Sequence, residues 1–171
     1  MSKQSNNQIL LSICIPTYNR ARFLVELLNS IIQPLNKASL KQVEIVISDN
    51  SQSNDTEVAI EKISAASEVH ISYYKNSSNV GADKNIVLAV ERAKGKYCWL
   101  LGDDDLVVTD AIARILKQIE LNQGIDVFMG DKEDIYIKPS NIMKSKQILN
   151  LKKEKIFDFK KEDIEEYFRV S

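Results

Sequence analysis

The sequence predicts an α/β fold in which a mostly parallel sheet is flanked by helices. Short runs rich in β-branched residues alternate with longer stretches of helical period, the pattern of parallel strands joined by helices. Clusters of polar residues follow the predicted strands directly. Open α/β sheets bind their ligands at those strand ends, so the same pattern predicts a binding site for a polar ligand.

The amino-terminal half contains three predicted strands and two predicted helices. Residues 9–15 form a continuous apolar run that a proline ends, which is typical of a buried strand. In residues 20–32, apolar side chains recur at helical spacing. A second strand follows at 43–48 and a second helix at 58–67, and the alternating segment 69–74 predicts a third strand.

The following segment continues the alternation of strand and helix. Residues 85–93 predict a helix that Gly95 ends, and the apolar run 97–101 predicts a fourth strand. A helix should extend from the capping residue Thr109 to Leu121, with an acidic residue in its first turn. Residues 125–129 predict a fifth strand.

The predicted domain boundary lies near residue 131. The length of 171 residues suits one domain of ordinary size, and residues 1–131 have the pattern of a nucleotide-binding sheet. Residues 132–171 are rich in Lys and Glu and have weak apolar periodicity, so we expect them to begin an incomplete second half.

Charge and composition exclude several classes of protein. The 23 Lys and Arg residues nearly balance 24 Asp and Glu residues, so no positive field would hold nucleic acid, and we expect no nucleic-acid partner. No apolar run reaches the roughly 20 residues of a membrane span, and the amino end lacks the apolar core of a secretory signal. Cys14 and Cys98 lie in apolar runs, and we expect both to be buried in a reducing cytoplasm.

The strongest chemical signal is the run Asp103, Asp104 and Asp105, which follows a strand that we expect to be buried on both faces. Three adjacent carboxylates repel one another, and the local sequence offers no basic residue. Oxygen ligands of this kind favour Mg²⁺ or Mn²⁺. The competing interpretation is a helix-entry cluster, although a helix cap uses one Asp rather than three.

Other strand ends carry candidate ligand contacts, each with a structural alternative. Asp49 suits a base or ribose, or it forms an Asx-turn. Tyr18 either stacks on a base or covers the end of the sheet. Arg20 and Lys84 are candidate cations for a diphosphate, or they are solvated charges at helix ends. Gly81 belongs to a turn that opens a helix, whose free amides suit an anion.

Four segments resemble, in order and spacing, inverting glycosyltransferases of family two. They are SICIPTYNRARFLVELLNSI, VEIVISDNSQSNDT, NSSNVGADKNIVLAVERAKGKYCWLLGDDD and TDAIARIL. The resemblance covers Leu10 to Gly130 and is strongest toward bacterial enzymes that add sugars to O-antigen and other surface polysaccharides, including abequosyltransferase-like proteins.

The resemblance implies a fold, a donor, a cofactor and an acceptor. The fold is the nucleotide-diphospho-sugar transferase (sugar-transferase A) fold, and the donor is a nucleotide-diphosphate sugar used with Mn²⁺ or Mg²⁺. The acceptor is a carbohydrate, and a lipid-linked oligosaccharide would bring the enzyme to the inner, cytoplasmic face of the membrane as a peripheral protein. By motif matching, the donor-binding residues are Pro16, Thr17, Tyr18, Arg20, Asp49, Gly81, Lys84, Asn85 and Asp103, and the metal ligands are Asp104 and Asp105.

Two departures from the family pattern are visible. Gly102 stands where the usual Asp-x-Asp-Asp run has its first Asp, which implies a thinner or shifted metal shell. No segment with the catalytic base or the acceptor pocket is recognisable, so we assign no base and expect the amino-terminal part of a longer enzyme. On its own this part should bind the donor and transfer little.

Two other functions compete with the enzyme. One is a nucleotide-sugar-binding module without turnover. The other is a receiver-type signalling domain, which the order of the motifs disfavours. A receiver has its acidic pair after the first strand, whereas here the acidic run follows the fourth.

Overall fold

A computed structural model describes residues 8–122 and the segments 133–138 and 141–147. By chain contacts the protein divides into two compact units, Met1–Gln123 and Gly124–Ser171. The predicted boundary at residue 131 lies outside the described residues and stays a prediction. The elements of the first unit are β1 (Leu11–Thr17), α1 (Ala21–Ile32), a 3₁₀ turn (Ser39–Lys41), β2 (Val43–Asp49), α2 (Asp55–Ala66), β3 (His70–Lys75), α3 (Ala82–Glu91), β4 (Tyr97–Leu100) and α4 (Ala111–Leu121).

The four strands of the first unit form one parallel sheet in the order β3-β2-β1-β4. Thr17 at the end of β1 lies opposite Asp49 at the end of β2, and Asp49 lies opposite Lys75 at the end of β3. Cys14 of β1 lies opposite Leu100, the last residue of β4. The carboxyl ends of all four strands therefore meet at one edge of the sheet, as the sequence predicts.

The hydrophobic core lies on one face of this sheet. Alternate residues of each strand point to the same face, and here they are large and aliphatic on β1 and β2. Helices α1, α2 and α4 contribute their apolar sides to the same core. Its fully buried members include Leu11, Ile13, Ile15, Leu24, Leu27, Leu28, Ile31, Val43, Ile45 and Ile47.

The opposite face packs against α3 and is more polar. Ser12 Oγ donates to Glu44 Oε1 at 2.6 Å, and both side chains are buried. They accept in turn from the chain that follows α3. The Lys94 amide donates to Glu44 Oε1 at 2.6 Å, and the Gly95 amide donates to Ser12 Oγ at 2.8 Å. These bonds fix the connection from α3 to β4 against the sheet.

The predicted strands and helices within residues 8–122 are confirmed, with shifts at their ends. Helices α2 and α3 each begin three residues earlier than predicted, at Asp55 and Ala82. Their first turns are polar or small and therefore carry no apolar periodicity. The predicted cap by Thr109 is wrong, since Asp110 occupies the cap position of α4 and makes no side-chain capping bond.

The prediction that β4 is buried on both faces is wrong. Strand β4 lies at the edge of the four-stranded sheet and pairs with β1. Its side chains alternate between half-buried and exposed, and Leu100 is 45% exposed. Cys14 is buried as predicted, but Cys98 is exposed for the same reason.

The second unit contains one antiparallel pair, β5 (Glu133–Lys138) and β6 (Asn141–Gln147), with a register irregularity between Asp134 and Tyr136. The predicted fifth strand at 125–129 lies outside the described residues. In the part of the chain that the structure describes, no helix is both long and apolar enough to cross a membrane.

Candidate functional site

The ends of β1, β2 and β3 are joined by backbone hydrogen bonds. The amide of Asn50 donates to the Thr17 carbonyl at 3.0 Å, and the amide of Asn76 donates to the Asp49 carbonyl at 2.8 Å. The loops after β2 and β3 therefore each begin with a residue that the neighbouring strand holds. These hydrogen bonds fix the loop backbone, so the side chains that the loops carry are held in position for a ligand.

Arg20 and Thr17 hold the acidic run that follows β4. Asp103 is 6% exposed and accepts from Thr17 Oγ1 at 2.7 Å through Oδ2. Arg20 Nη1 lies 3.1 Å from Asp103 Oδ1 and 2.9 Å from Asp104 Oδ2, so one guanidinium nitrogen bridges two carboxylates. The charge of Asp103, followed by that of Asp104, raises the pKa of Arg20 above its ordinary value.

This arrangement corrects one premise of the sequence analysis. The acidic run has no basic neighbour in the local sequence, but the fold brings Arg20 to it from 83 and 84 positions away. Charge repulsion within the run is therefore relieved by the protein itself. The predicted metal preference does not follow from repulsion alone.

Gly102 allows the carboxylates of Asp104 and Asp105 to converge. The Gly102 amide donates to Asp105 Oδ2 at 2.8 Å. A Cβ atom built on Gly102 would lie 3.1 Å from Asp104 Oδ1 and 3.2 Å from Asp105 Oδ2. An Asp at position 102, as in the usual family pattern, would crowd both carboxylates. Glycine at position 102 therefore suits the close approach of these two carboxylates.

Carboxylate oxygens are suitable ligands for Mg²⁺ or Mn²⁺, and those of Asp104 and Asp105 lie close to one point. Among the residues that the structure describes, no group of three His, Cys, Asp or Glu side chains is placed to hold a metal ion together. Within these residues the acidic run therefore offers a metal ion no more than the carboxylates of Asp104 and Asp105, and an ion bound there would need further ligands from elsewhere.

Asp49 forms the turn that was its structural alternative. Its Oδ1 accepts from the Ser51 amide at 2.7 Å, which closes an Asx-turn. Its Oδ2 accepts from the Tyr73 hydroxyl at 2.8 Å. The carboxylate is fully buried, and burial followed by the bond to Asp49 raises the pKa of Tyr73 above its ordinary value.

Three buried asparagines, Asn50, Asn76 and Asn85, form a network beneath the strand ends. Asn76 Nδ2 lies 2.9 Å from Asn50 Oδ1 and 2.9 Å from Asn85 Oδ1. Asn85 Nδ2 donates to the Thr17 carbonyl at 3.2 Å, and Asn50 Nδ2 donates to the Gly81 carbonyl at 3.1 Å. This asparagine network links three strand ends to the start of α3.

Arg92 supports the network from the end of α3. Its guanidinium donates to Asn76 Oδ1 at 3.1 Å and to Ser48 Oγ at 2.9 Å. It also lies over the ring of Tyr74, 4.6 Å from the ring centroid, in cation–π geometry. The carbonyl and the amide group of Asn76 are therefore both engaged.

The predicted site residues fall into two layers. Thr17, Asp49, Asn85 and Asp103 are buried, and Pro16 is half-buried. The others reach solvent and form what we call the exposed rim. Its members are Tyr18, Arg20, Gly81, Lys84, Asp104 and Asp105. The structure brings Thr17, Arg20, Asp103 and Asp104 into one bonded cluster.

The sequence pattern does not point to Tyr73 and Arg92, and it places Asn50 and Asn76 in the polar clusters at the strand ends without a role of their own. Tyr73 and Arg92 carried no signal, because Tyr73 lies within β3, Arg92 directly follows α3, and neither differs in sequence from a surface residue. The asparagines carried a weak signal, since one follows β2 and another follows β3 directly. Asparagine suits these positions, because its side chain both donates and accepts hydrogen bonds and can therefore join the backbones of adjacent loops.

Comparison with known proteins identifies the family. Residues 12–170 match Glycosyl transferase family 2. The chain is 40% identical over 126 residues to abequosyltransferase RfbV of Salmonella typhimurium, covering 74% of this chain and 37% of that protein. It is 27% identical over 115 residues to the GalNAc(5)-diNAcBac-PP-undecaprenol beta-1,3-glucosyltransferase of Campylobacter jejuni, covering 67% and 35%. The chain thus spans little more than a third of the length of these relatives.

The fold agrees with that assignment. The mannosyltransferase PcManGT from Pyrobaculum calidifontis, solved in complex with GDP-Man and Mn²⁺, superposes with a TM-score of 0.57 at 20% sequence identity. The match covers 66% of this chain and 32% of that one. The parallel sheet flanked by helices is thus the sugar-transferase A fold that the sequence predicts. The chain belongs to glycosyl transferase family 2.

Proposed function

We propose that the described unit binds the nucleotide-diphosphate sugar of an inverting glycosyltransferase that builds a surface polysaccharide. The observation that carries this proposal is the bonded cluster of Thr17, Arg20, Asp103 and Asp104 beside the exposed rim. It places carboxylates and a cation together at the ligand-binding edge of the sheet. Membership of the family and the GDP-Man bound to PcManGT support the same donor class.

The exposed rim offers groups of the kinds that a nucleotide diphosphate needs. Tyr18 is 48% exposed and can stack on the base. Lys84 is exposed in the first turn of α3 and suits the diphosphate, as does the start of that helix at Gly81. Gly81 adopts a φ of 87°, which suits glycine, and thereby turns the chain into the helix.

Asp104 and Asp105 would hold Mn²⁺ or Mg²⁺. When bound, the ion would neutralise charge on the diphosphate that leaves the sugar. Asp103 has both oxygens engaged by Thr17 and Arg20, so its role in this proposal is to position Arg20 next to Asp104. The Mn²⁺ in PcManGT supports metal use in this fold.

Asp49 and Asn85 are buried below the exposed rim, and we assign them supporting roles in donor binding. Asn85 donates to the Thr17 carbonyl and accepts from Asn76, so we assign it to positioning the loop after β1. Asp49 can accept from a base only if the Tyr73 hydroxyl moves away from its buried carboxylate. Asp49→Ala should therefore lower both stability and selectivity among nucleotides. Tyr73→Phe removes the competing hydroxyl, so it should lower stability while leaving that selectivity intact or strengthening it.

The first experiment is a thermal-shift panel of UDP, GDP, CDP and dTDP with and without Mn²⁺. A ligand at a hundred times its dissociation constant stabilises the folded chain by about 2.7 kcal/mol. Asp104→Asn should abolish the Mn²⁺-dependent part of the shift. Asp110→Asn is the matched control, because Asp110 is an exposed carboxylate at the start of α4 and pairs with Arg114. Equal shifts in both variants would contradict the metal assignment.

Transfer is the second part of the proposal. The undecaprenol-linked substrate in the name of the Campylobacter relative and the similarity to an abequosyltransferase support a carbohydrate or lipid-linked oligosaccharide acceptor. A lipid-linked acceptor would be reached at the inner face of the membrane, which is part of the proposal. The competing function is a binding module without turnover. The discriminating protein is a chain extended at its carboxyl end toward the length of these relatives, because the present 171 residues should transfer little under either function. Release of nucleotide from a labelled nucleotide sugar by the extended protein no faster than in a protein-free blank, with and without such an acceptor, would favour the binding module.

A further inference from the structure

Arg20 occupies the position at which a cation would meet Asp104. We propose that Arg20 acts as an internal counter-ion that must leave the acidic run before a divalent cation binds, and that the donor diphosphate draws it away. This inference rests on the proposed function, because it assigns Arg20 a role in donor and metal binding. It makes Arg20 the residue that couples the two.

The geometry of the closed cluster supports the first step. One nitrogen, Arg20 Nη1, lies 3.1 Å from Asp103 and 2.9 Å from Asp104. The remaining oxygen of Asp103 is held by Thr17 at 2.7 Å. A divalent ion approaching Asp104 therefore meets a positive charge that is already paired. Metal alone should bind weakly for that reason.

The exposure of the cluster supports the second step. The side chains of Arg20 and Asp104 are 50% and 56% exposed, whereas the side chain of Asp103 is 9% exposed. The guanidinium can therefore turn toward solvent, where the donor diphosphate would lie, while the buried Asp103 keeps its bond from Thr17. Arginine binds phosphate oxygens by paired charge-assisted hydrogen bonds, which replace those it gives up.

The donor diphosphate would also supply metal ligands, because the acidic run provides few carboxylates. No three metal-binding side chains converge within the described residues, so a bound ion would take further ligands from the diphosphate, as Mg²⁺ commonly does in phosphate sites. The diphosphate would then offer both a new partner for Arg20 and new ligands for the metal. Binding of either should strengthen binding of the other, and such coupling is reciprocal.

The test compares Arg20→Gln with the matched control Arg22→Gln. Arg22 lies in the first turn of α1, two residues after Arg20, which precedes that helix. Its side chain is 87% exposed and pairs with Glu26 of the next turn, so the control loses the same charge without touching the acidic run. Mn²⁺ affinity is measured by the electron-paramagnetic-resonance signal of free Mn²⁺, first with the protein alone and then with UDP, GDP, CDP or dTDP.

Arg20→Gln should bind Mn²⁺ alone about tenfold more tightly than the parent and Arg22→Gln, within the usual range of coupling. The factor by which a nucleoside diphosphate strengthens Mn²⁺ binding should fall by a similar amount. Melting curves should agree, with Mn²⁺ alone stabilising Arg20→Gln more than the parent. Arg20→Met, which keeps the apolar stem of the side chain, is the second variant and has the same expectation.

Several results would overturn the inference. They are unchanged or weaker Mn²⁺ binding in both Arg20 variants, no Mn²⁺ binding in any protein, or tighter binding with an undiminished nucleotide effect. Failure of the proposed function gives a different result. In that case Arg20→Gln binds Mn²⁺ more tightly than the parent, but none of the four diphosphates binds to any protein.

Discussion

Replacing Asn76 with Ala should reveal how much the asparagine network contributes. Asn76 is 7% exposed and lies where the ends of β2, β3 and the start of α3 meet. Its amide nitrogen has three acceptors within 3.3 Å, from Ser48, Asn50 and Asn85, and its carbonyl accepts from Arg92 at 3.1 Å. Alanine removes all of these bonds and leaves the partners in place.

The expected loss follows from this count. The two amide hydrogens can satisfy two acceptors well, so together with the bond from Arg92 about three effective hydrogen bonds are lost. Each contributes about 0.5–1.5 kcal/mol net, and the two asparagine oxygens left short of a donor add to the loss. We expect the free energy of unfolding to fall by about 3 kcal/mol. For a unit of this size, that lowers the melting temperature by roughly 10 °C.

The measurement is urea unfolding of the parent, Asn76→Ala and Asn54→Ala. Asn54 is the matched control because it is exposed and its side chain accepts a bond from Lys75 at the surface. The control should lose less than about 0.5 kcal/mol. A loss below about 1 kcal/mol in Asn76→Ala would refute the reasoning, since water would then have replaced the network at little cost.

Two further predictions test the packing around β1 and β4. With a thiol reagent at pH 8 the native chain should label at Cys98 and not at Cys14, because burial and the neighbouring Cys98 raise the pKa of Cys14 to about 12. Cys98→Ser should abolish native labelling, and labelling of Cys14 before unfolding would contradict its burial. Gly95→Ala should lower the free energy of unfolding by about 1–3 kcal/mol, because its Cβ would lie 2.7 Å from the Ser12 backbone nitrogen. An unchanged urea midpoint for that variant would show that the connection after α3 moves aside freely.

The order of the strands and helices could be predicted, because the buried face of each element requires apolar residues at a regular spacing in the sequence. The core positions of α1, such as Leu24, Leu27 and Leu28, recur at helical spacing, and the buried strands read as continuous apolar runs. The place of β4 at the sheet edge could not be predicted in the same way. The same apolar run suits a central or an edge strand, and the strand order depends on contacts distant in sequence. Cys98 was therefore expected to be buried.

The polar ends of the strands could be predicted, but their pairing could not. Asp49, Asp103 and Asp104 follow their strands as expected, since turn and ligand chemistry both favour acidic residues there. The partner of the acidic run, Arg20, lies at the start of α1 and reaches it through the pairing of β1 with β4. The hydrogen bond from Tyr73 to the buried Asp49 likewise depends on a long-range contact, the register of β2 against β3.

The two layers of the site give variants with different consequences. In the buried layer, both carboxylate oxygens of Asp49 are engaged by the protein, and so are the oxygen and nitrogen of Asn76 in the adjoining asparagine network. Substitutions at these two residues should therefore change stability before they change a ligand contact. In the exposed rim, Tyr18 and Lys84 reach solvent, so substitutions there should change affinity at nearly constant stability. Arg20 belongs to both layers, because its charge stabilises Asp103 while its exposed side faces the ligand edge. A ligand that draws Arg20 outward must therefore also compensate for the ion pair that Asp103 loses, and this requirement links nucleotide binding to the acidic run.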